Sequence, residues 1–344
     1  MPPDAASVVS LKTAPLSEMS ENEQIKLESQ GLFYVTDGQG KHTFLDEVQQ
    51  LDSGAEQTIS STAKELSKFF GIYKQQGRGE RGRKTQDYFF MVRIKNPAGG
   101  RLSPRQWLAL DDAAERFADG TLRITSRQGI QYHHVYGPGL APLIRHLTRN
   151  YRDEATLGAC GDVNRNVMAS PIDELDPSSA PGGLALAHAI AEELAPQSSS
   201  YFQIFVSDAE GRNQAPVNSD EPLYGEHYLP RKFKIGIAHP QDGSVDVRTQ
   251  DIGLVPVDDL GTRWDVYTGG GLGLTHNNPK TAALLGEPIG RVAREQVVAV
   301  CRAILILQKE NGERRDRKQA RWKYTLRRLG IGRASCRERV YVLV

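Results

Sequence analysis

Residues 120–135, which read GTLRITSRQGIQYHHV, constrain the fold more than any other stretch of the chain. In a β-strand, successive side chains point to opposite faces of the sheet. With that period of two, Arg123 and Arg127 share one face, while Leu122 and Ile124 share the other. This half of the stretch therefore predicts a strand with one apolar face and one basic face.

The alternation resumes after a predicted tight turn, with Gln131 and His133 on one side and Ile130 and Tyr132 on the other. Two adjacent strands are thus predicted to carry a common face of arginine, glutamine and histidine. A buried sheet tolerates such a face when an anion covers it, because buried cations need partners of opposite charge. The alternative is a half-exposed hairpin whose basic face is solvated, as in many antiparallel sheets.

The elements around these two strands predict an α+β unit. Residues 87–95, DYFFMVRIK, alternate as a strand that places Arg93 opposite its apolar neighbours. Ser103 and Gln106 have the spacing of a helix capping box, and residues 140–149 have the apolar spacing of a second helix. The buried stripe of the first helix is predicted at Trp107, Leu110, Ala114 and Phe117. The resulting order β-α-β-β-α is most of a ferredoxin-like unit.

The balance of positive and negative residues limits the kinds of partner that the chain is expected to bind. The chain has 43 Lys and Arg against 42 Asp and Glu, a formal net charge of +1. Dedicated nucleic-acid-binding proteins are usually much more basic, so nucleic acid is not the expected partner. No apolar run has the length of a membrane span or of a secretory leader core, so we expect a cytoplasmic protein with no membrane partner.

Cations beside apolar residues recur along the chain. They are Arg93, Arg123, Arg127, Arg165, Lys232, Lys234, Arg321 and Lys323. Each of these alone is more often a solvated charge than a ligand. Together on one fold they indicate an anion with many carboxylates, or a small oxyanion. The chain contains no dinucleotide fingerprint, phosphate loop or Ser-His-Asp pattern, which excludes recognisable nicotinamide or flavin binding.

Several further segments have predicted structures. Residues 71–84 are glycine-rich and basic, and predict a loop that is either solvated or closes over an anionic ligand. Residues 201–206 predict a strand, and residues 316–328 predict a strongly basic helix. Residues 267–274, YTGGGLGL, predict a glycine turn that lets the backbone approach a ligand closely.

A family resemblance rests on five motifs that occur in order: LRITSRQGIQYHHV, GDVNRNVMASP, YLPRKFKIGIA, YTGGGLGLTH and ENGERRDRKQARWKYTL. They resemble the successive signatures of the sirohaem and iron–sulfur sulfite/nitrite reductases, over about residues 58–330. The resemblance implies half of a pseudo-twofold enzyme. A ferredoxin-like half-unit in residues 58–152 is followed by a mixed α/β sirohaem-binding domain in residues 153–330. From their polar composition, residues 1–57 are expected to form an extended arm with a short helical stretch near residues 21–30.

The resemblance also implies the chemistry. Members of the family hold sirohaem coupled to a [4Fe-4S] cluster, and carry out the six-electron reduction of sulfite to sulfide or of nitrite to ammonia. The expected electron donor is ferredoxin or an NADPH-dependent flavoprotein subunit. The alternative is a protein that is not an enzyme. It would be a non-catalytic fragment that binds a tetrapyrrole, or nucleic acid, through its basic helix.

The resemblance assigns roles to individual residues. Those similar to the cations that bind the substrate are Arg93, Arg165, Lys232 and Lys234. Those similar to residues that contact sirohaem are Arg123, Arg127, Gln131, His133, Asn164, Gly269, Gly270, Gly271, Arg321 and Lys323. Sulfite reductases of the family typically carry the Lys-x-Lys pair, and nitrite reductases typically replace its second lysine with asparagine. Lys234 therefore favours sulfite.

The cysteines depart from the family pattern. The cluster cysteines of the family form a C-x5-C and a distant C-x3-C, whereas this chain has only Cys160, Cys301 and Cys336. We therefore assign no residue of this chain as a metal ligand, and expect Cys301 to be a small buried thiol. Residues 331–344 resemble translated adapter sequence and are expected to be non-native. The expectation is a C-terminally truncated chain that holds no cluster and does not reduce sulfite.

Overall fold

The chain divides into two compact units in a computed structural model. The residues that the structure describes are 15–29, 34–37, 40–96, 102–150, 156–157, 161–176, 181–196 and 221–330. What we call the first unit comprises residues 25–168 and 195–226, and the second unit comprises residues 1–24, 169–194 and 227–344. The domain limits drawn from the sequence remain predictions.

The elements alternate between helices and short strands. In chain order the helices are α1 (Glu21–Glu28), α2 (Phe44–Asp52), α3 (Ser61–Ser67), α4 (Pro104–Phe117), α5 (Gly137–Asn150), α6 (Ile172–Leu175), α7 (Gly183–Glu193), α8 (Val297–Asn311) and α9 (Trp322–Leu329). The strands are β1 (Tyr34–Asp37), β2 (Gly40–Thr43), β3 (Ile72–Arg78), β4 (Lys84–Lys95), β5 (Arg123–Ile124), β6 (Ile130–Val135), β7 (Thr156–Leu157), β8 (Met168–Ala169), β9 (Ile235–Ile237), β10 (Ile252–Pro256), β11 (Arg263–Thr268) and β12 (Glu287–Ala293).

The first unit is built on an antiparallel sheet with the order β3-β4-β6-β5, in which β7 also pairs with β4. The run β4-α4-β5-β6-α5 is the predicted β-α-β-β-α order, so the α+β class is confirmed. The predicted capping box at Ser103 and Gln106 closes the start of α4. Helix α5 buries the apolar residues that its spacing predicted, including Leu140 and Leu143.

The predicted buried stripe of α4 is only partly confirmed, because Phe117 is half-buried and Trp107 is exposed. Leu110 and Ala114 are buried, but the Trp107 side chain is 43% exposed. The buried face of the helix runs through Gln106, Leu110 and Ala113. Trp107 follows Gln106 by one residue, about 100° around the helix, and so lies on the flank of that face.

The segment expected to be an extended arm is folded where the structure describes it. It contains α1, the β1–β2 hairpin and α2. Helix α2 buries Phe44, Val48 and Leu51, which have the i, i+4, i+7 spacing of a core-facing helix. The polar composition of the surrounding residues concealed this short amphipathic pattern.

Two other predicted elements need correction. The predicted loop over residues 71–84 is mostly strand, because β3 pairs with β4 as far as Arg78 and Lys84. The predicted basic helix over residues 316–328 begins only at Trp322. Its first part is a turn, because the Asp316 carboxylate accepts a hydrogen bond from the backbone N–H of Lys318 at 2.9 Å.

The second unit is built on a mixed sheet with the order β12-β11-β10-β9-β8. Strands β9 and β10 are parallel, and β11 pairs antiparallel with both β10 and β12. Helices α7 and α8 pack on each other through buried apolar faces that include Ile190 and Ile304. The predicted strand at residues 201–206 and the predicted non-native tail lie outside the described residues.

Candidate functional site

The predicted site residues fall into two groups. The first unit holds Arg93, Arg123, Arg127, Gln131, His133, Asn164 and Arg165. The second unit holds Lys232, Lys234, Gly269, Gly270, Gly271, Arg321 and Lys323. Each group is described within its own unit.

Arg93, Gln131 and Arg123 form one row across three neighbouring strands of the first unit. Gln131 on β6 is the direct partner of Arg93 on β4 and also of Arg123 on β5. Cross-strand partners project from the same face of a sheet. The structure therefore brings together Gln131 and Arg123 of the predicted polar face. The rest of the prediction for this stretch is wrong, because β5 ends at Ile124, which leaves Arg127 in the turn, and the Ile124 side chain is 73% exposed.

The amide of Gln131 connects Arg93 to His133. In the orientation that satisfies both of its neighbours, its oxygen accepts a hydrogen bond from Arg93 Nε at 2.6 Å, and its nitrogen donates to His133 Nε2 at 3.2 Å. The Arg93 guanidinium also lies 6.0 Å from the centroid of the Tyr73 ring. Burial, together with the charge of Arg123, lowers the pKa of His133, so the imidazole is neutral at pH 7 and one ring nitrogen can accept.

Arg123 lies at the exposed edge of the row. Its guanidinium pairs with the Asp119 carboxylate at 3.2 Å, and His134 approaches the same carboxylate at 3.1 Å. Burial of Asp119 would raise its pKa, but the hydrogen bonds from Thr121, His134 and Arg123 outweigh it and lower the pKa to about 2. Arg123 is therefore held by a permanently ionised acid near the sheet edge.

Arg127 is locked to the loop that carries the predicted Asn-Arg-Asn motif. Its Nη2 donates to the carbonyl of Asn166 at 2.5 Å, and the Asn166 amide nitrogen donates back to the carbonyl of Arg127 at 2.8 Å. The loop is fixed further where the phenol of Tyr224 accepts from the backbone N–H of Asn164 at 3.1 Å. This reciprocal contact places Arg127, Asn164 and Arg165 in one rigid cluster.

Lys232 and Lys234 lie on the extended segment that enters β9. Both side chains are half-buried, whereas Phe233 and Ile235, which alternate with them, are fully buried. The two ammonium groups therefore leave the segment on the same side, as the alternation predicted.

The segment before Lys232 is held by an arginine that the sequence analysis missed. Arg314 donates to the carbonyls of His227 at 3.3 Å and Tyr228 at 2.8 Å, and pairs with Glu23 at 2.5 Å. Arg314 and Glu23 are both almost fully buried. Their partners are far apart in sequence, so no local pattern indicated this pair.

The glycine turn that follows β11 has no room for a side chain at Gly270. The backbone N–H of Gly270 donates to the carbonyl of Gln250 at 2.9 Å. A Cβ atom at Gly270 would collide with the carbonyl oxygens of Arg248 and Gln250, and Gly269 has a φ of +86°. The predicted close approach of backbone is therefore present, and it requires glycine.

Arg321 and Lys323 lie beside this turn, and both use it or its neighbours as hydrogen-bond partners. Arg321 Nη2 lies 3.0 Å from each carboxylate oxygen of Asp251. The Lys323 ammonium donates to the carbonyls of Gly271 and Gly273 at 2.8 Å, and also to the carbonyl of Ala282. Burial, followed by the charge of Arg321, lowers the pKa of Lys323 to about 8. The ammonium of Lys323 thus holds the turn with all three of its donors.

Asp251 is the second residue that the sequence analysis missed. It is fully buried, and its backbone carbonyl accepts from the N–H of Gly269 at 3.0 Å while its carboxylate binds Arg321. It therefore fixes the start of the glycine turn and the direction of Arg321 at once. The sequence alone does not identify Asp251, because a single aspartate before a strand is part of no recurring residue pattern.

Buried polar atoms without partners occur at several of the predicted positions. Within the described residues, both amide atoms of Asn164, Nε of Arg165 and Nε of Arg321 are buried and make no hydrogen bond. Buried polar atoms in folded proteins almost always have a partner. Each unit therefore presents donors, and in Asn164 also an acceptor, suited to a polar or carboxylate-bearing ligand. In the second unit the backbone of Gly271 lies close to Arg321. These residues fit the group that the resemblance implies.

The described residues contain no group of three or more His, Cys, Asp or Glu side chains placed to hold a metal ion. Cys301 is buried in α8, so the expected small buried thiol is confirmed, and burial raises the pKa of this thiol to about 12. Cys160 and Cys336 lie outside the described residues. No helix within the described ranges is both long and apolar enough to span a membrane.

Family models match both halves of the chain. The model described as the nitrite/sulfite reductase ferredoxin-like half domain matches residues 81–149. The model described as the nitrite and sulphite reductase 4Fe-4S domain matches residues 160–336. The second match continues past Gly330 into the tail that the sequence analysis expected to be non-native.

Curated relatives match almost the whole chain. The sulfite reductase (NADPH) hemoprotein beta-components of Chromohalobacter salexigens and Acidithiobacillus ferrooxidans are 39% and 41% identical, over 94% and 92% of this chain. The sulfite reductase (ferredoxin) of Synechococcus elongatus is 35% identical over 93% of this chain. These matches cover 55%, 54% and 52% of the respective relatives, so the chain spans about half of their length.

A solved structure shares the fold. The Mycobacterium tuberculosis NirA protein superposes with a TM-score of 0.64 at 22% sequence identity, over 92% of this chain and 51% of that one. At this identity the likeness concerns the fold.

Proposed function

Because the chain belongs to the nitrite and sulphite reductase family, we propose that it contributes to an assimilatory sulfite reductase, which reduces sulfite to sulfide with six electrons. The observation that carries the choice of sulfite is its similarity to curated relatives named sulfite reductase, at 35–41% identity over at least 92% of the chain. The activity is that of a whole protein, of which this chain matches about half.

Sirohaem and a [4Fe-4S] cluster are the cofactors of the proposal. When bound, they supply the electrons that reach the substrate. The residues proposed to hold sirohaem carboxylates in the first unit are Arg123, Arg127, Gln131, His133 and Asn164. Those proposed in the second unit are Arg321 and Lys323, together with the backbone of Gly269, Gly270 and Gly271. The unpaired buried atoms of Asn164 and Arg321 support this assignment.

Arg93, Arg165, Lys232 and Lys234 are the proposed substrate-binding cations. Sulfite is an anion with three oxygens, and charge-assisted hydrogen bonds from guanidinium and ammonium groups bind such oxygens strongly. Each oxygen that leaves as water must take up protons, which an ammonium group can donate. The half-buried positions of Lys232 and Lys234 reduce their access to competing water.

The pair of lysines on one side of their segment supports sulfite over nitrite. Two ammonium groups balance a doubly charged anion, whereas nitrite carries a single charge. Nitrite reduction to ammonia is the alternative, since the family models describe both activities.

The donor of electrons is proposed to be either an NADPH-dependent flavoprotein subunit or ferredoxin, because the names of the relatives include both kinds. A cytoplasmic location remains a prediction. Nucleic acid is no part of the proposal, since the net charge of the chain is only +1.

The test of this proposal is anion binding to the purified chain. We expect the 344-residue chain from a sirohaem-producing host to contain a tetrapyrrole, whose visible absorption shifts at lower concentrations of sulfite than of nitrite. Lys234→Asn should weaken sulfite binding about 10-fold or more and nitrite binding less, because it removes one of two charges. The matched control is Lys84→Asn, at the exposed start of β4.

Three results would contradict the proposal. If the purified chain contains no tetrapyrrole, it does not bind sirohaem. Tighter binding of nitrite than of sulfite would favour the alternative activity. Equal weakening of both anions by Lys234→Asn would show that Lys234 supplies general positive charge rather than selectivity.

A further inference from the structure

Lys95, the last residue of β4, is a buried lysine to which the sequence analysis assigned no role. It is 4% exposed. It follows Arg93 by two residues, and the pairing of Arg93 with Gln131 and of Ile94 with Ile130 is continuous over this stretch. Side chains two apart on a strand project from the same face. Lys95 therefore lies on the polar face that carries Arg93, Gln131 and Arg123.

Three lysines are buried among the described residues, and Lys95 differs from the other two. Lys26 pairs with the Asp162 carboxylate at 3.5 Å. Lys323 donates to three backbone carbonyls. Lys95 makes neither a hydrogen bond nor an ion pair within the part of the chain that the structure describes.

A buried ammonium without a partner is costly to the fold. The free energy of removing the charge from water is repaid only by hydrogen bonds or an opposite charge. Burial alone lowers the pKa of Lys95 to about 8, with no contribution from a neighbouring acid. A loss of folding free energy of this kind, which no contact within the protein offsets, is typical of residues in binding sites. Such a site is stabilised when the ligand binds.

We propose that Lys95 is a further anion-binding residue of the face formed by Arg93, Gln131 and Arg123, and that its ligand is a carboxylate of the tetrapyrrole. The inference rests on the proposed function, and extends its set of binding residues by one. A tetrapyrrole that carries several carboxylates can offer one to Arg123 and another to Lys95, which lies two residues from Arg93 on the same strand.

The proposal predicts opposite effects on stability and on binding. Lys95→Met keeps the length of the side chain and removes the buried charge. The cofactor-free variant should therefore unfold at a temperature equal to or above that of the unsubstituted chain, while its affinity for a tetrapyrrole carboxylate falls. A lysine that pairs with an acid elsewhere in the chain would behave in the reverse way, because its loss leaves that acid unpaired.

The experiment uses the full 344-residue chain without cofactor, and uroporphyrin as the probe, since all side chains of uroporphyrin end in carboxylates. Binding is followed by quenching of tryptophan fluorescence, and uroporphyrin methyl ester is the uncharged control. We expect Lys95→Met to weaken uroporphyrin binding about 10-fold or more, and Lys95→Arg to retain most of the affinity. Lys84→Met, on the exposed end of the same strand, should change neither binding nor the unfolding temperature.

The outcomes separate this inference from the proposed function. Failure of the unsubstituted chain to prefer uroporphyrin to its ester would contradict the proposed function itself. Preferential binding by the unsubstituted chain, with full affinity in Lys95→Met, would overturn only the role of Lys95. A lowered unfolding temperature in Lys95→Met, with unchanged affinity, would assign Lys95 to an ion pair within the chain.

Discussion

The two units present their candidate binding residues in different ways. In the first unit, Arg93, Gln131 and Arg123 are aligned by strand pairing, so the backbone hydrogen bonds of the sheet place them. In the second unit, Arg321 and Lys323 are aligned by side-chain contacts, to Asp251 and to the carbonyls of the glycine turn. One arrangement follows from local periodicity, and the other depends on residues that are distant in sequence.

This difference predicts which single substitutions should destabilise the protein most. A row of side chains on a sheet survives the loss of one member, because the strands remain paired. An arrangement centred on one buried acid depends on that acid.

The largest effect is expected from Asp251→Ala. This change leaves the Arg321 guanidinium, whose side chain is 12% exposed, without its carboxylate partner. Breaking a buried pair by removing one partner typically destabilises a protein by about 3–5 kcal/mol. Urea unfolding of the variant and of the unsubstituted chain gives the difference in free energy.

The matched control for that variant is Asp265→Ala. Asp265 pairs with Arg291 at 2.7 Å, but the side chains of this pair are 30% and 51% exposed. Exposed ion pairs contribute about 0–1 kcal/mol, so the control should change stability little. Equal losses in the two variants would show that Asp251 has no special place in the second unit.

A smaller effect is expected from Gly270→Ala. The added methyl group would collide with two backbone carbonyls, which are less able to move than side chains. Overpacking of this kind typically destabilises a protein by about 1–3 kcal/mol. The measurement is again urea unfolding, with Gly273→Ala as the control.

At Gly273 an added Cβ would meet no atom within 4 Å. The alanine variant should therefore be as stable as the unsubstituted chain, or slightly more stable. If Gly270→Ala were equally harmless, the close packing of the glycine turn against the carbonyls of Arg248 and Gln250 would be refuted.

Sequence periodicity predicted the β-α-β-β-α core of the first unit, because the determinants of these elements are local. The alternation in residues 130–133 and the capping box at Ser103 each depend on neighbours within a few positions, and both are present in the structure. The alternation predicted for residues 122–127 is not, because β5 has only two residues and Ile124 is exposed. The prediction that Trp107 is buried was wrong because the apolar stripe of a helix is wide. The same sequence therefore fits two buried faces that differ by a small rotation of the helix.

The second unit was less predictable because its determinants are not local. Asp251 and Arg321 are 70 residues apart, and Arg314 and Glu23 are 291 residues apart. No spacing rule connects such pairs, and each residue alone resembles an ordinary surface charge. The basic character of residues 316–328 was visible, but not the turn at Asp316 that delays α9 to Trp322.

We propose that basic residues of the first unit, Arg127 among them, bind a tetrapyrrole through its carboxylates. The most direct test is the tetrapyrrole content of the purified chain and of Arg127→Glu, with Arg105→Glu at the exposed start of α4 as the charge-matched control. We expect Arg127→Glu to lose most of the pigment, because a carboxylate would repel those of the ligand, while Arg105→Glu keeps it. Equal pigment in all three proteins would contradict the claim.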